Sequence, residues 1–275
     1  METVVIIWLF TLGAIFGSFG GVLISRKWDK KWIKDIFFGR SKCDFCHKKL
    51  WFLELVPIVS FLTQRARCKK CGKKLSSFYL WIEILSGVVF VLTYIFLPDV
   101  VLWELLAWIF INWWLLLLLV FDIQKYELHI PMWIFVTLIA VVFAFFKLDS
   151  LVVAETMIAY FLVFLAIYLF SKYYMRLRFS KKEEWFGQWD VFLSITIWAL
   201  SWFVFYYNFL QFGVVNLINL ILIYVILSCL IWLLFALISK IIWSKQTKII
   251  PFLPSMILAF WLVMLFGGVF INILA

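Results

Sequence analysis

Four cysteines in the first third of the chain have the types and spacing of a metal site. They form two C-x2-C pairs separated by 21 residues: Cys43, Cys46, Cys68 and Cys71. Four thiolates close a tetrahedral shell around Zn²⁺ and leave no position for a substrate, so the metal would be structural. Two disulfides are an alternative, and His47 could replace one cysteine as a ligand. We predict a structural Zn²⁺ held by the four cysteines.

Two aspartates have the pattern of a catalytic carboxylate pair. Asp122 ends the apolar run LLLLLVFD, and Asp190 follows FGQW at the start of another apolar run. If the two segments pack together, the carboxylates would share one proton, because like charges at close range cannot both ionise cheaply. Such a pair can activate water as a base and protonate a leaving amine as an acid. Two unrelated aspartates at a membrane interface are the alternative.

Long apolar segments must position these residues. The mean hydropathy is +1.08 and 67% of the residues are hydrophobic, which exceeds what a soluble core could hide from water. Apolar runs of about 17 to 25 residues can cross a bilayer as helices. We therefore predict an all-α polytopic membrane protein with about eight transmembrane helices. The predicted spans are about 3–24, 79–97, 101–121, 131–147, 151–171, 187–207, 214–239 and 249–272.

The basic residues sort to one side of this topology. Of the 25 Lys and Arg residues, 15 lie between Ser25 and Phe78, and only Lys147 falls on the opposite face. The positive-inside rule then predicts that the basic face is cytoplasmic and that both termini are outside. The net charge of +10 thus indicates topology rather than a nucleic-acid partner. A reducing cytoplasm also favours zinc over disulfides in the cysteine loop.

The predicted organisation has three parts. Residues 1–24 form the first transmembrane helix, residues 25–78 a small cytoplasmic zinc-ribbon-like loop, and residues 79–275 a seven-helix membrane core. The loop is too small to bury a sizeable core without a metal. Glu104 and Glu155 fall near the outer ends of their spans, where we expect them to reach water.

Five motifs follow one another along nearly the whole chain. They are GAIFGSFGGVLISR, the double C-x2-C loop with its flanks, Asp122 at the end of a span, GQWD with Asp190, and IIPFLPSMILA. The set, in this order, resembles the motifs of the prepilin peptidases, membrane aspartic proteases of the GxGD type. Trp189 stands where that family has its second glycine, and Gly21 where it has asparagine.

The resemblance implies a function and a set of residue roles. Asp122 and Asp190 would be the catalytic pair of a membrane aspartic protease core, and the four cysteines the zinc ligands. The implied substrates are type IV pilin-like precursors, cut after a short basic leader at the cytoplasmic face of a prokaryotic inner membrane. Many family members also methylate the new amino terminus with S-adenosylmethionine. The alternative function is a catalytically inactive membrane scaffold whose zinc loop docks a cytoplasmic partner.

Overall fold

The computed structural model describes most of the chain, including the four cysteines and the segment between the two C-x2-C pairs. The described residues are 2–25, 39, 41–43, 45–97, 100–125, 129–147, 157–158, 161–170, 172–173, 196–197, 213–242 and 252–274. Within these ranges the secondary structure is helical, apart from two isolated β-bridges in the cysteine loop. The chain divides into two compact units, Met1–Leu117 and Leu118–Ala275.

Seven α-helices are complete enough to be assigned bounds. They are α1 (Glu2–Ser25), α2 (Val59–Thr63), α3 (Ser77–Phe96), α4 (Leu102–Lys125), α5 (Ile130–Lys147), α6 (Gly213–Ile242) and α7 (Leu253–Leu274). Within the described residues, α1, α3 and α4 are long and apolar enough to cross a membrane, and four shorter apolar helices accompany them. The predicted all-α membrane fold with a small cysteine loop is confirmed.

Most helix bounds agree with the predicted spans, and one start differs. Helix α7 begins at Leu253 rather than near 249. Pro254 explains the difference, because proline is tolerated in the first turn of a helix and not farther in. The fifth span, predicted at 151–171, is helical where it is described, for example over 161–170. Of the sixth, predicted at 187–207, only Thr196 and Ile197 are described; the boundaries at 24 and 78 stay predictions.

Glycines set the close packing of α1 against α3. A Cβ atom at Gly13 would meet the Phe90 ring and would lie 2.6 Å from the Ser86 carbonyl oxygen. At Gly17 it would lie 2.6 Å from both Glu83 Cα and the Ile82 carbonyl oxygen. Small residues four apart allow such close approach of two backbones in a membrane. The glycine motif of the first span is thus part of a helix seam.

We expect Gly17→Ala to destabilise the protein by about 2 kcal/mol, because the new methyl group meets α3 backbone atoms that cannot move aside. Gly21→Ala is the matched control, since its Cβ would meet the Tyr79 ring at 3.1 Å and a side chain can shift. Thermal unfolding of the two variants in detergent measures the difference. Equal midpoints for the two variants would contradict the seam.

One face of helix α4 packs inside the first unit. Trp108, Ile111 and Leu115 are almost fully buried on this face, and Asn112 Nδ2 donates a 3.1 Å hydrogen bond to Thr93 Oγ1 on α3. Glu104 lies on the same face and is only 1% exposed. The expectation that Glu104 reaches water was therefore wrong. The phase of the helix points it inward, although it lies only two residues from the helix start.

The second unit contains α5, α6 and α7. Trp232 on α6 contacts Phe252 just before α7, with ring centroids 6.3 Å apart. Phe164, in the described part of the fifth span, packs on Tyr224 of α6 at 6.2 Å. On α7 the core side chains include Met256, Ile257 and Phe260. Apolar helix faces therefore build this unit around aromatic contacts.

Candidate metal centre and candidate catalytic aspartate

The cysteine loop is built from two similar turns, related by 25 positions. In the first, the Cys43 amide donates to the Lys48 carbonyl, and in the second the Cys68 amide donates to the Lys73 carbonyl, both at 3.0 Å. An isolated antiparallel bridge flanks each turn, Lys42 with Lys49 and Arg67 with Lys74. The repeat in the sequence, KCDFCHKKL and RCKKCGKKL, is thus a repeat in structure.

Both turns need a left-handed residue at the same place. Gly72 has φ of 68° in the second turn, and His47 has φ of 54° in the first. Glycine takes this conformation without strain, whereas a residue with a Cβ atom does so less readily. His47 is therefore a turn residue, and the four-atom cluster of possible ligands consists of cysteines alone.

The four cysteine sulfurs converge on one point. All four Sγ atoms lie within 4.8 Å of one another, and two pairs, Cys43–Cys71 and Cys46–Cys68, are 3.9 Å apart. Tetrahedral zinc with Zn–S bonds of about 2.3 Å requires sulfurs separated by about 3.8 Å. The described cysteines form no disulfide. The donor set and its spacing therefore fit a structural zinc ion.

Local electrostatics favour a thiolate at Cys68, whereas burial and the neighbouring cysteines raise the pKa of Cys71 to about 11. The backbone amides of Cys71 and Lys70 hydrogen-bond to the Cys68 sulfur and lower the pKa of Cys68 to about 6. A sulfur that is deprotonated at neutral pH is the form that binds metal. The Lys73 ammonium lies 4.7 Å from the centroid of the Phe45 ring, which places a positive charge beside the first turn.

The segment between the two turns is held by a carboxylate that points inward. Glu54 Oε1 accepts a 2.8 Å hydrogen bond from Lys48 Nζ, and Glu54 Oε2 accepts one from the Trp51 amide at 2.9 Å. These contacts lower the pKa of Glu54, the Lys48 bond most. The side chain of Glu54 is only 5% exposed. The Glu54 side chain therefore caps the short 3₁₀ helix Phe52–Glu54 by accepting a hydrogen bond at its amino end.

A second carboxylate ties the loop to a membrane helix. Glu83 lies in the second turn of α3, and its Oε2 accepts a 2.7 Å hydrogen bond from the Ile58 amide. Ile58 has φ of 60°, a conformation that is unusual for a β-branched residue. The Ser18 side chain on α1 also hydrogen-bonds to Glu83. Glu83 thus joins the loop, α1 and α3.

Asp122 is a buried carboxylate near the end of α4. It is 5% exposed, and among the described residues its Oδ2 atom has no hydrogen-bond partner. An unpaired buried carboxylate is costly, so a partner or a proton is required. The adjacent ring of Phe121 packs edge-on against His129 at 4.9 Å.

Thr196, which falls in the predicted sixth span, contacts the helix that follows Asp122. Thr196 Oγ1 accepts a 3.0 Å hydrogen bond from Trp133 Nε1 and lies 2.6 Å from Thr137 Oγ1, so it contacts α5. Asp190, the other predicted catalytic residue, lies outside the described residues. Its meeting with Asp122 stays a prediction.

Two further polar groups of the second unit are buried, and the sequence reasoning missed both. His129 is 8% exposed; burial lowers its pKa to about 4, and its Nδ1 accepts from the Met132 amide at 3.3 Å. Ser255 is fully buried, and its Oγ atom has no partner among the described residues. No spacing rule identifies either one, although His129 lies two residues before Pro131 and Ser255 directly follows Pro254.

Comparisons with known proteins support one family. Residues 11–97 match the family model of the bacterial peptidase A24 N-terminal domain. A prepilin leader peptidase/N-methyltransferase of Myxococcus xanthus is 36% identical over 120 residues, 40% of this chain and 35% of that relative. The protein of the same name from Bacillus subtilis is 38% identical over 85 residues, 30% of this chain and 32% of its own. No solved structure matches the chain.

A more distant relative is matched over much more of the chain. The prepilin leader peptidase/N-methyltransferase of Aeromonas salmonicida is 24% identical over 238 residues, 85% of this chain and 73% of that relative. The matches to the first two relatives span only about a third of their length. The fold and site define a polytopic helical membrane protein with a four-cysteine loop. Residues 11–97 are thus similar to the N-terminal domain of the bacterial A24 peptidases, and these relatives share the name prepilin leader peptidase/N-methyltransferase.

Proposed function

We propose that the protein is a membrane-embedded aspartic endopeptidase that removes the short basic leader from type IV pilin-like precursors. Asp122 and Asp190 form its catalytic pair, and the cut falls at the cytoplasmic face of a prokaryotic inner membrane. Both chain termini lie on the opposite side, as the distribution of basic residues predicts. The relatives named prepilin leader peptidase/N-methyltransferase support this class of reaction.

The observation that supports this proposal most directly is the burial of Asp122 without a hydrogen-bond partner for its Oδ2 atom among the described residues. A carboxylate near the end of a membrane helix is buried, and one of its oxygens has no partner among the described residues. Ionisable groups at membrane depth are costly and usually functional. The contact of Thr196 with α5 supports a partner from the sixth span, because Asp190 precedes Thr196 by six residues.

The two aspartates supply both halves of peptide hydrolysis. The ionised carboxylate takes a proton from a water molecule, which attacks the carbonyl carbon of the scissile bond. The protonated carboxyl group donates its proton to the leaving amine nitrogen as the C–N bond breaks. The products are the free leader and a pilin-like helix with a new amino terminus.

The four cysteines would hold a structural zinc ion, which fits the separations of their sulfurs. The metal would stabilise the loop, and no step of the cleavage passes through it. Methylation of the new amino terminus by S-adenosylmethionine is supported by the relatives' names alone. No described residue of this chain is assigned to that cofactor.

Cleavage in a membrane tests the proposal. The full chain is reconstituted in liposomes with a type IV pilin-like precursor from the same genome, and the mass of the precursor is followed. We expect it to fall by the mass of the leader. If every such precursor stays intact, the proposal fails, and the inactive scaffold that docks a partner through its zinc loop becomes the better account.

A further inference from the structure

The loop between the two cysteine turns exposes an unusual set of side chains. Five large apolar residues on it are between 55% and 80% exposed. We call them the apolar patch: Trp51, Phe52, Leu53, Val59 and Leu62. Patches of this kind are rare on surfaces that face water. In the rest of the first unit, large apolar side chains with such exposure lie mainly on α1, α3 and α4, where lipid covers them.

The segment between the two cysteine turns has its carboxylate, Glu54, inside and its large apolar side chains outside. The Glu54 carboxylate is turned inward onto Lys48 and the Trp51 amide, and this turn presents Phe52 and Leu53 outward. Val59 and Leu62, three residues apart on α2, share a face of that helix. This arrangement reverses the order that water would favour.

A hydrogen bond sets the position of the patch relative to the membrane. Helix α3 has 20 residues and is about 30 Å long, which is the thickness of the hydrocarbon core. Glu83 lies six residues inside its start, or about 9 Å along the axis. Since the Ile58 amide donates to Glu83, the loop lies beside the first turns of α3 rather than above them.

The backbone of this segment suits a medium of low polarity. The amides of Trp51 and Ile58 donate to the carboxylates of Glu54 and Glu83. Main-chain carbonyls accept from many of the others: Glu54, Leu55, Val59, Ser60, Leu62 and Gln64. Near the hydrocarbon, each unpaired amide would cost several kcal/mol. Most main-chain amides of residues 51–64 are thus paired, which lowers the cost of placing this segment near the hydrocarbon.

Exposed basic residues lie on both sides of the patch along the chain. Their charge complements the anionic surface of a leaflet, where each Lys or Arg contributes about 1 kcal/mol of attraction. Aromatic side chains at the same level are typical of membrane–water interfaces. The exposed basic residues are Lys42, Lys49, Arg65, Arg67, Lys69, Lys70, Lys73 and Lys74.

We propose that the cysteine loop lies in the membrane–water interface, with the apolar patch inserted between the lipid headgroups and the upper acyl chains. The patch thereby anchors the loop to the bilayer at the level of the first turns of α3. This anchoring concerns lipid contact alone and does not depend on the proposed cleavage activity.

Photochemical cross-linking in lipid tests the proposal. The photoreactive amino acid p-benzoylphenylalanine replaces Phe52 in the full-length protein, which is placed in nanodiscs of phosphatidylethanolamine and phosphatidylglycerol. Trp81, 58% exposed on α3, is the lipid-facing reference site, and Lys70, exposed on the second cysteine turn, is the reference site outside the patch. After irradiation, intact-protein mass spectrometry counts lipid adducts.

We expect as many lipid adducts at Phe52 as at Trp81, and roughly five-fold more than at Lys70, because interfacial side chains reach about 5–10 Å into the headgroup and acyl boundary. Leu62 serves as a second site in the patch if the Phe52 variant fails to fold. Adducts as rare at Phe52 as at Lys70 would overturn the proposal. So would adducts to a protein chain in place of lipid, which would make the patch a protein-docking surface.

Discussion

Replacing Asp122 by Asn is expected to lower the rate of precursor cleavage by at least about 10³-fold. The amide keeps the size of the side chain but cannot accept or return a proton, and general acid–base groups contribute about 10²- to 10⁴-fold to such reactions. The same loss is expected for Asp190→Asn, because the pair shares one proton. Initial rates in liposomes at equal protein amounts measure both effects.

Glu104→Gln is the matched control for this prediction. It makes the same exchange of a carboxyl for an amide on the same helix, and Glu104 is also buried. We expect its cleavage rate to stay within about three-fold of the unaltered protein, because it lies outside the proposed pair. Equal losses in the Asp122 and Glu104 variants would assign the effect to helix packing rather than to proton transfer.

Replacing Cys43 by Ser is expected to reduce bound zinc from about one ion per chain to nearly none. Structural zinc contributes about 10–16 kcal/mol of apparent binding free energy in zinc-finger peptides, so a loop of this size depends on it. Without the metal, the loop should unfold, and trypsin should then cut its backbone after the exposed Lys and Arg residues. Elemental analysis and limited trypsin digestion of the purified protein measure the two effects.

Cys229→Ser controls for the loss of a thiol as such. Cys229 is exposed on α6, far along the chain from the loop, so this variant should keep its zinc and its resistance to trypsin. Full zinc content in the Cys43 variant would contradict the four-cysteine site. So would a metal-free but protease-resistant loop in the unaltered protein.

The sequence was sufficient for the features that depend on length and composition. Apolar runs predicted α1, α3 and α4 to within a few residues, because a bilayer demands a nearly constant helix length. The cysteine cluster was equally accessible, since its spacing is the condition for a shared metal. These features are local in the chain.

Features that depend on three-dimensional packing were less accessible. Glu104 is buried because of the way α4 packs in the first unit. No pattern in a single sequence shows which side of α4 faces inward. The tie between Glu83 and Ile58 joins residues 25 positions apart and uses a main-chain amide, which carries no sequence signal. The meeting of Asp122 and Asp190 depends on the packing of two distant spans, and Asp190 lies outside the described residues.

The two cysteine turns have the same shape, but only the first has a strained backbone. The left-handed position belongs to Gly72 in one turn and to His47 in the other. Such a backbone costs a residue with a Cβ atom roughly 1 kcal/mol. The turn that carries Cys43 and Cys46 is therefore the less stable of the two turns that would hold the metal. A bound ion would leave from that side first, and a competing chelator would enter there.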